Sequence, residues 1–283
     1  MDPSAPPEKD LLPLPRALRW LQRFEFPHKL GLCDRVFGRR LARHGIRWVR
    51  TAPGPVWKLD LANSTHRWIV YGCYEGAGWW RWVRARAGQI GTIVDSGANI
   101  GQTVLYFAHW LPEARILAYE PGRAARLWLG EGVEANRFGR VRVEASGLGA
   151  APGRARLSAV GGSDLHGSWN LVNAAEGEPI EIAALDAELD RHAFATLDIW
   201  KLDTEGYEIE ALRGAAAALA RGRIRAIHME VGISGEESVS FLRARGYTAW
   251  DILPSGTLRP LGRCAAWGNA LFLSPGHPAA PSP

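Results

Sequence analysis

Cysteine is scarce in this chain. Its three cysteines, Cys33, Cys73 and Cys264, stand far apart with no C-x-x-C pair. That excludes a disulfide framework and a cysteine zinc site, and leaves isolated buried or half-buried thiols. Long apolar runs are missing too: none approaches the roughly 20 residues that span a bilayer. The opening M-D-P-S-A-P-P-E-K-D is acidic and proline-rich, unlike a secretory signal. The expected location is the cytoplasm, with peripheral membrane contact as a variant. There is no internal repeat. Basic residues are nearly all arginine, a bias ascribed to coding and given no functional weight.

What is present suits a globular protein. At 283 residues and 47% hydrophobic content, the chain can form one large domain with an appendage. The net charge of +5 is unevenly spread. Arg16, Arg19, Arg23, Lys29, Arg35, Arg39, Arg40, Arg43, Arg47 and Arg50 face only Glu25 and Asp34 in the same stretch. Such a run is usually a solvated helix face. It could instead meet nucleic-acid phosphates or an anionic lipid surface, the latter helped by Trp20 and Trp48.

Residues 1–13 read as a disordered tail and 14–55 as a basic helical extension. Residues 56–275 form the main domain and 276–283 a loose tail. In the extension, Leu14, Leu18, Leu21 and then Leu32, Val36, Phe37, Leu41 recur at helical spacing up to about Trp48, with Pro27 between two pieces. T-A-P-G-P at Thr51–Pro55 is a break. W-K-L-D-L and R-W-I-V-Y-G then suggest a β-hairpin.

From Gly91 strand-like and helical runs alternate. Strands are expected at Gly91–Asp95, Arg115–Tyr119, Arg140–Ala145, Asp198–Leu202, Ile224–Glu230, Thr248–Asp251 and Ala270–Leu273. Helices are expected at Ile100–Trp110, Arg123–Ala135, Tyr207–Leu219 and Glu236–Arg245. The alternation implies a mainly parallel sheet with helices on both faces. The Gly149–Asp186 stretch shows no clear helix and holds G-G-S-D-L-H-G-S-W-N, a loop long enough to cover a site.

The chemistry concentrates in T-I-V-D-S-G-A-N-I-G-Q-T, Thr92 to Thr103, followed by A-Y-E-P at Ala118–Pro121. An apolar run ends in Asp95, a glycine loop follows, and a second apolar run ends in Glu120. Ligands of open α/β sheets sit beyond such strand ends, at the switch point. Gly97 and Gly101 let the backbone turn tightly and approach a ligand. Ser96, Ala98 and Asn99 complete the loop, and Asn99 is placed to cap the next helix. Glu120, with Pro121 behind it, can accept hydrogen bonds from ribose hydroxyls. An acid directly before the loop is badly placed for a pyrophosphate. It suits a ligand with a positively charged end, such as S-adenosylmethionine. Ser146 and Gly147, ending the third strand, are candidates for the adenine contact.

The second dense block is K-L-D-T-E-G-Y-E-I-E-A-L-R-G-A, Lys201 to Ala215. Some of its acids can simply stabilise the start of a helix. Asp203 and Glu205 would stand beside Asp95 at the switch point. Together D-S-G-A-N-I-G, A-Y-E-P and this block resemble the FkbM-type methyltransferases, over roughly Trp68 to Leu273. Leu185–Asp186 and Asn136 fit the same pattern. The resemblance implies a Rossmann-like, seven-stranded, class I methyltransferase fold, S-adenosylmethionine as donor, and mostly O-methylation of sugar or natural-product hydroxyls. It implies that Asp95, Gly97, Asn99, Gly101 and Glu120 bind cofactor, and that Lys201, Asp203 and Glu205 line the transfer site. S-G-L-G at Ser146–Gly149 departs from the family's alanine-rich turn with an acid.

Methyl transfer to a hydroxyl needs alignment and benefits from a base. Candidates are Asp203, Glu205, Glu230 and His228, with His166 in the loop as a further one. A lone strand histidine such as His228 is more often a hydrogen-bonded core residue. Asp203, Glu205 and Glu230 could offer oxygen ligands to a divalent metal. No histidine pair has transition-metal spacing, so no metal site is assigned. Trp79, Trp80 and Trp82 could wall an acceptor, although such residues more often pack a helix on a sheet. The expected acceptor is a saccharide, glycolipid or natural product. No nucleic-acid partner is expected, although a nucleic-acid methyltransferase using the basic segment is the alternative. Residues 14–50 are the candidate for a membrane-surface or homo-oligomer contact.

Overall fold

The computed structural model describes residues 10–159, 169–171, 177–232, 235–262 and 268–278. His166, Cys264 and most of the Gly161–Asn170 loop lie outside them. Fourteen strands are described: β1 Ile46–Arg50, β2 Val56–Asp60, β3 Thr92–Ser96, β4 Arg115–Tyr119, β5 Val141–Glu144, β6 Ser146–Leu148, β7 Gly153–Ala159, β8 Trp169–Leu171, β9 Glu178–Ala183, β10 Leu197–Leu202, β11 Ile224–Val231, β12 Thr248–Ile252, β13 Leu258–Pro260 and β14 Gly268–Leu273. The helices are α1 Arg16–Leu21, α2 Lys29–Cys33, α3 Arg39–Ala42, α4 Ser64–Tyr71, α5 Gly76–Arg84, α6 Val104–Trp110, α7 Arg123–Ala135, α8 Leu185–Arg191, α9 Glu208–Arg213, α10 Ala216–Ala220 and α11 Gly235–Arg243. A π-helical turn, Asp34–Gly38, joins α2 to α3.

The main sheet runs β13-β12-β14-β11-β10-β3-β4-β5. Its centre is parallel, and β14 enters antiparallel between β11 and β12. The chain winds from β3 toward β5 on one side and from β10 toward β11 on the other. The switch point therefore falls between β3 and β10, where Asp95 registers with Lys201. Every residue of β10 is buried, as expected for a strand covered on both faces. Two apolar cores result. One packs the N-terminal helices and α4–α7 on one face, and the other packs α8–α11 on the opposite face. At the amino end of the sheet, Asp198 accepts from Gly91 N (2.8 Å), Thr92 N (3.0 Å) and Arg225 Nη1 (2.8 Å), tying β3, β10 and β11.

The fold class is the one expected, a mixed α/β sheet with flanking helices. Eight strands pair in it rather than seven, because β13 adds a three-residue edge carrying Pro260, too short to leave a periodic signal. A second sheet, β6-β9-β7-β8, runs from Ser146 into the Gly149–Asp186 stretch, where only the lack of a helix and a glycine-rich loop were expected. The expected W-K-L-D-L/R-W-I-V-Y-G hairpin is wrong. W-K-L-D-L pairs with the preceding Ile46–Arg50, turning at T-A-P-G-P. R-W-I-V-Y-G belongs to α4, capped by the Asn63 side chain accepting from Thr65 N and closed by Gly72 at φ 68°. N-S-T and the glycine are standard helix punctuation, and the aromatic β signal overrode them. The single Tyr207–Leu219 helix divides at Gly214, where a Cβ would lie 1.9 Å from Gly149 O. In the N-terminal helices Cys33 and Leu41 are buried, with Phe37 half-buried between them. Leu32 (48%) and Val36 (59%), read above as part of the apolar face, are exposed. Leu12 N donates to Trp48 O at 2.8 Å, so the end of the presumed tail is tied down.

Candidate active site

The glycine loop is built from backbone geometry. Gly97 N and Ala98 N donate to Tyr119 O at 3.0 and 3.1 Å, folding the loop over the end of β4. Gly97 sits at φ 78°, and a Cβ there would lie 1.8 Å from Asp203 O, so only glycine fits. At Gly101, φ 93°, a Cβ would meet Leu129 Cδ1 at 2.8 Å. Asn99 does not cap α6, which starts later, at Val104. Its role is carried by its backbone. At φ 49° it presents N–H to Glu120 Oε2 at 2.7 Å, while Gly122 N donates to Oε1 at 2.8 Å. Glu120 is 5% exposed. Burial lifts its carboxyl to about 7, although those two N–H groups favour the ionised form.

Beside this loop lies an open cleft at the carboxyl ends of the central strands, the place where open α/β sheets bind their ligands. Gly97, Asn99, Glu120 and Pro121 line one side, and Asp203, Thr204, Glu205 and Tyr207 the other. Gly147 lines it too, with an apolar wall of Leu148, Leu157, Ile180 and Ile182. All four belong to the second sheet, whose short strands left no periodic signal in the sequence. Ser146 pairs with Glu181 in that sheet and is not on the cleft surface. Asp95, Ser96 and Ala98 are buried and do not line the cleft. Asp95 is 1% exposed and accepts from Thr103 Oγ1. Burial is the main cause of its carboxyl rising to about 7, with Thr103 and Lys201 opposing. Ser96 Oγ accepts from Trp200 Nε1 at 2.8 Å.

The K-L-D-T-E-G block supplies the opposite bank. Glu208 is a buried clamp rather than a cleft residue: its Oε1 accepts from Thr204 N (2.9 Å), Thr204 Oγ1 (3.0 Å) and Gly206 N (3.1 Å). It holds the turn in which Glu205 adopts φ 54° and is exposed. Lys201 is fully buried, with Nζ 2.9 Å from Asp203 Oδ2 and 3.1 Å from Glu75 Oε1. Burial disfavours its ammonium, but Asp203 and Glu75 outweigh this and raise its pKa well above the ordinary lysine value.

Glu75 is the residue sequence reasoning missed. It precedes α5 at φ 63°, its side chain is 3% exposed, and it accepts from Asn269 Nδ2 at 3.0 Å. No motif marks it, since it is one acid ahead of an aromatic helix. Burial raises its carboxyl while Lys201 holds it down. His228, in register with Lys201, stacks on Trp79 at 4.0 Å and 8°. Its Nδ1 is 3.7 Å from Glu75 Oε2, outside hydrogen-bond reach, and has no hydrogen-bond partner among the described residues. Burial and the Lys201 charge push its pKa well down, keeping the ring neutral. Glu230 is half-buried; burial and then the charges of Asp203 and Glu205 lift it to about 7. Trp79, Trp80 and Trp82 are buried in the core on that face of the sheet. Among the described residues no group of three or more His, Cys, Asp or Glu is arranged to hold a metal ion.

Fold and site together describe a Rossmann-like class I methyltransferase. The sequence model of the Methyltransferase FkbM domain matches residues 95–249, more than half of the chain. The chain belongs to the FkbM methyltransferase family, and S-adenosylmethionine is its cofactor. No curated protein matches it. Among solved structures it is similar to the METTL16 methyltransferase domain, at 15% identity and a TM-score of 0.41, covering 69% of this chain and 66% of that one, just under two thirds. It is also similar to precorrin-6y C5,15-methyltransferase from Geobacter metallireducens, at 12% identity and a TM-score of 0.38, covering 68% and 84%. A third is the human methyltransferase 10 domain containing protein, at 13% identity and a TM-score of 0.39, covering 70% and 79%.

Proposed function

We propose that the chain O-methylates a hydroxyl on a saccharide, glycolipid or natural-product acceptor. The observation that carries this reading is the acidic rim. Burial first, and then the charges of Asp203 and Glu205, raise the Glu230 carboxyl to about 7. An acceptor must approach along this rim, and a polyphosphate would be opposed there by like charge. A neutral hydroxyl is not.

The cleft fits the cofactor. Each Glu120 oxygen holds one N–H and retains a lone pair for a ribose hydroxyl. Leu148, Leu157, Ile180 and Ile182 offer an adenine-sized apolar wall beside Gly147. Asp203, with the buried charge of Asp95, suits the cationic end. When bound, S-adenosylmethionine supplies an electrophilic methyl on a sulfonium. The residues of this chain orient the acceptor oxygen and take its proton. Glu230, held near 7, is matched to that task at neutral pH. Lys201 fixes Asp203.

The test is transfer of isotope-labelled methyl into fractionated cell material. Alkali-stable label in saccharide or glycolipid fractions is the expected result. Label that nuclease releases would replace this reading with nucleic-acid methylation.

A second element of the reading concerns the basic segment. Trp20 (60% exposed) and Phe24 (45%) lie against each other at 4.6 Å, flanked by exposed Arg19 and Arg23. Apolar rings among arginines suit an anionic lipid surface, where a glycolipid acceptor would be found. Sedimentation with phosphatidylglycerol vesicles should fall several-fold in Trp20→Ala/Phe24→Ala. Unchanged sedimentation would remove the membrane contact.

A further inference from the structure

A second cavity lies at the amino end of the sheet, at the opposite end of the strands from the cofactor cleft. It is walled by Trp82 on α5, Arg86 just past that helix, Asp198 and Arg225 near the starts of β10 and β11, and Ser274 and His277 after β14. No described residue lines both spaces.

The hydrogen-bond balance of this wall is one-sided. Asp198 is its carboxylate among the described residues, and both oxygens are fully engaged. Oδ2 accepts from Gly91 N at 2.8 Å, Thr92 N at 3.0 Å and Thr92 Oγ1 at 3.1 Å. Oδ1 accepts from Arg225 Nη1 at 2.8 Å. Arg225 uses one of its five N–H donors in that bond. Arg86 has no carboxylate beside it among the described residues. Its Nη1 donates to Trp82 O at 3.1 Å, and its guanidinium lies 4.5 Å over the Trp82 ring. Partial burial lowers its pKa, and no neighbouring anion opposes the shift. Burial also disfavours the Arg67 guanidinium, but there Asp34 outweighs it. Burial, and then the charges of Arg86 and Arg225, lower the pKa of His277, so its ring adds no charge at neutral pH.

Trp82 supplies an independent observation. It is 2% exposed, and its Nε1–H finds no acceptor among the described residues. A buried N–H without an acceptor is costly and rare, so one in a cavity wall asks for a ligand that accepts. A cation would be opposed by Arg86. An apolar ligand would leave the donors unpaired. A carboxylate matches the edge of one guanidinium, whereas donors from α5, the residue beyond it and β11 suit the several oxygens of a phosphoryl group.

We propose that this cavity is a phosphoryl-binding site, with Arg86 as the charge partner and the Trp82 indole and Arg225 as further donors. The inference goes beyond the methyl-transfer reading and is independent of the acceptor. A phosphoryl group bound there joins the pre-domain helix α5 to the starts of β10 and β11 and to the segment after β14. It acts on the scaffold from the far end of the sheet and takes no part in the transfer step. Free phosphate and a phosphate monoester present the same charge and the same oxygens.

The experiment is calorimetric titration of the full chain near neutral pH and at constant ionic strength. The probes are inorganic phosphate, glycerol 3-phosphate and acetate. Saturable binding of phosphate or its ester is expected, with acetate about tenfold weaker. Tighter binding of the ester assigns the source to a phosphorylated small molecule, and binding of the free ion at least as tight assigns it to inorganic phosphate; either upholds the site. Arg86→Gln should weaken binding about tenfold, and Trp82→Phe, which removes the indole N–H, about threefold. Calorimetric binding of S-adenosylhomocysteine by each variant, unchanged from the parent chain, shows that it is folded and that the loss is local. No saturable binding of phosphate or its ester, acetate binding as tightly as either, or undiminished binding in either folded variant overturns the site. Failure of the parent chain to bind S-adenosylhomocysteine bears on the cofactor cleft instead and leaves the phosphate titration to be read by itself.

Discussion

Lys201 Nζ lies 3.1 Å from Glu75 Oε1, and both side chains are almost wholly removed from solvent, at 2% and 3% exposure. One partner ends a central strand; the other opens a helix that precedes the sheet. The pair joins the pre-domain segment to the methyltransferase core, beside Asp203 on the wall of the cleft. It also explains how a lysine can be buried in a sheet: two carboxylates hold it charged.

Lys201→Met should destabilise the protein by about 3–5 kcal/mol near pH 8, because it strands Glu75 and Asp203 as unpaired carboxylates. The sign with pH follows. Burial already raises the Glu75 carboxyl and Lys201 opposes this, so without the lysine Glu75 binds a proton more readily and the loss should shrink as pH falls toward 5. Urea denaturation at the two pH values measures this. An equal loss at both would show that the lysine acts by packing alone.

Gly97→Ala should cost about 1–3 kcal/mol, since its methyl would meet Asp203 O at 1.8 Å and the residue sits at φ 78°. Because the clash falls on the bank carrying Asp203, cofactor affinity should drop with stability. Differential scanning fluorimetry with and without S-adenosylhomocysteine reads both. A variant with wild-type melting would mean that the two banks stand further apart than described.

Cofactor affinity should rise with pH up to about 7 and then level off. Ribose hydroxyls donate to ionised Glu120, whose carboxyl is raised to about 7. Below that value affinity should fall by up to about tenfold per pH unit. The same shift means that ionising Glu120 costs the free protein stability between its unfolded value and 7. Glu120→Gln should lower affinity and flatten the profile, leaving the smaller contribution of Asp95. Calorimetry from pH 5.5 to 8 decides; a flat wild-type profile would remove Glu120 from the ribose contact.

Asn136→Ala should separate stability from binding. The Asn136 amide bridges α7 to β2, accepting from Val56 N at 2.8 Å and donating to Val56 O at 2.7 Å. Its loss should cost about 1–3 kcal/mol by leaving those groups unpaired. Asn136 is not on the cleft, so affinity for S-adenosylhomocysteine should hold within twofold. A larger drop in affinity would show that β2 supports the cleft.

The sequence by itself determined the central strands and the cofactor loop. Thr92–Ser96, Arg115–Tyr119 and Leu197–Leu202 each carry adjacent apolar residues because both faces of a parallel sheet are covered. The glycines at 97 and 101 mark the two backbone positions where no side chain fits. Those constraints are local, so they are legible locally. Tertiary structure decided the rest. It kept Asp95 and Ser96 off the cleft surface, made Glu208 a clamp, built the apolar cleft wall from a sheet of short strands, and buried Glu75 against Lys201. None of these follows from spacing or periodicity. A carboxylate acquires its role from the residues packed around it, and in this protein those residues come from distant parts of the chain.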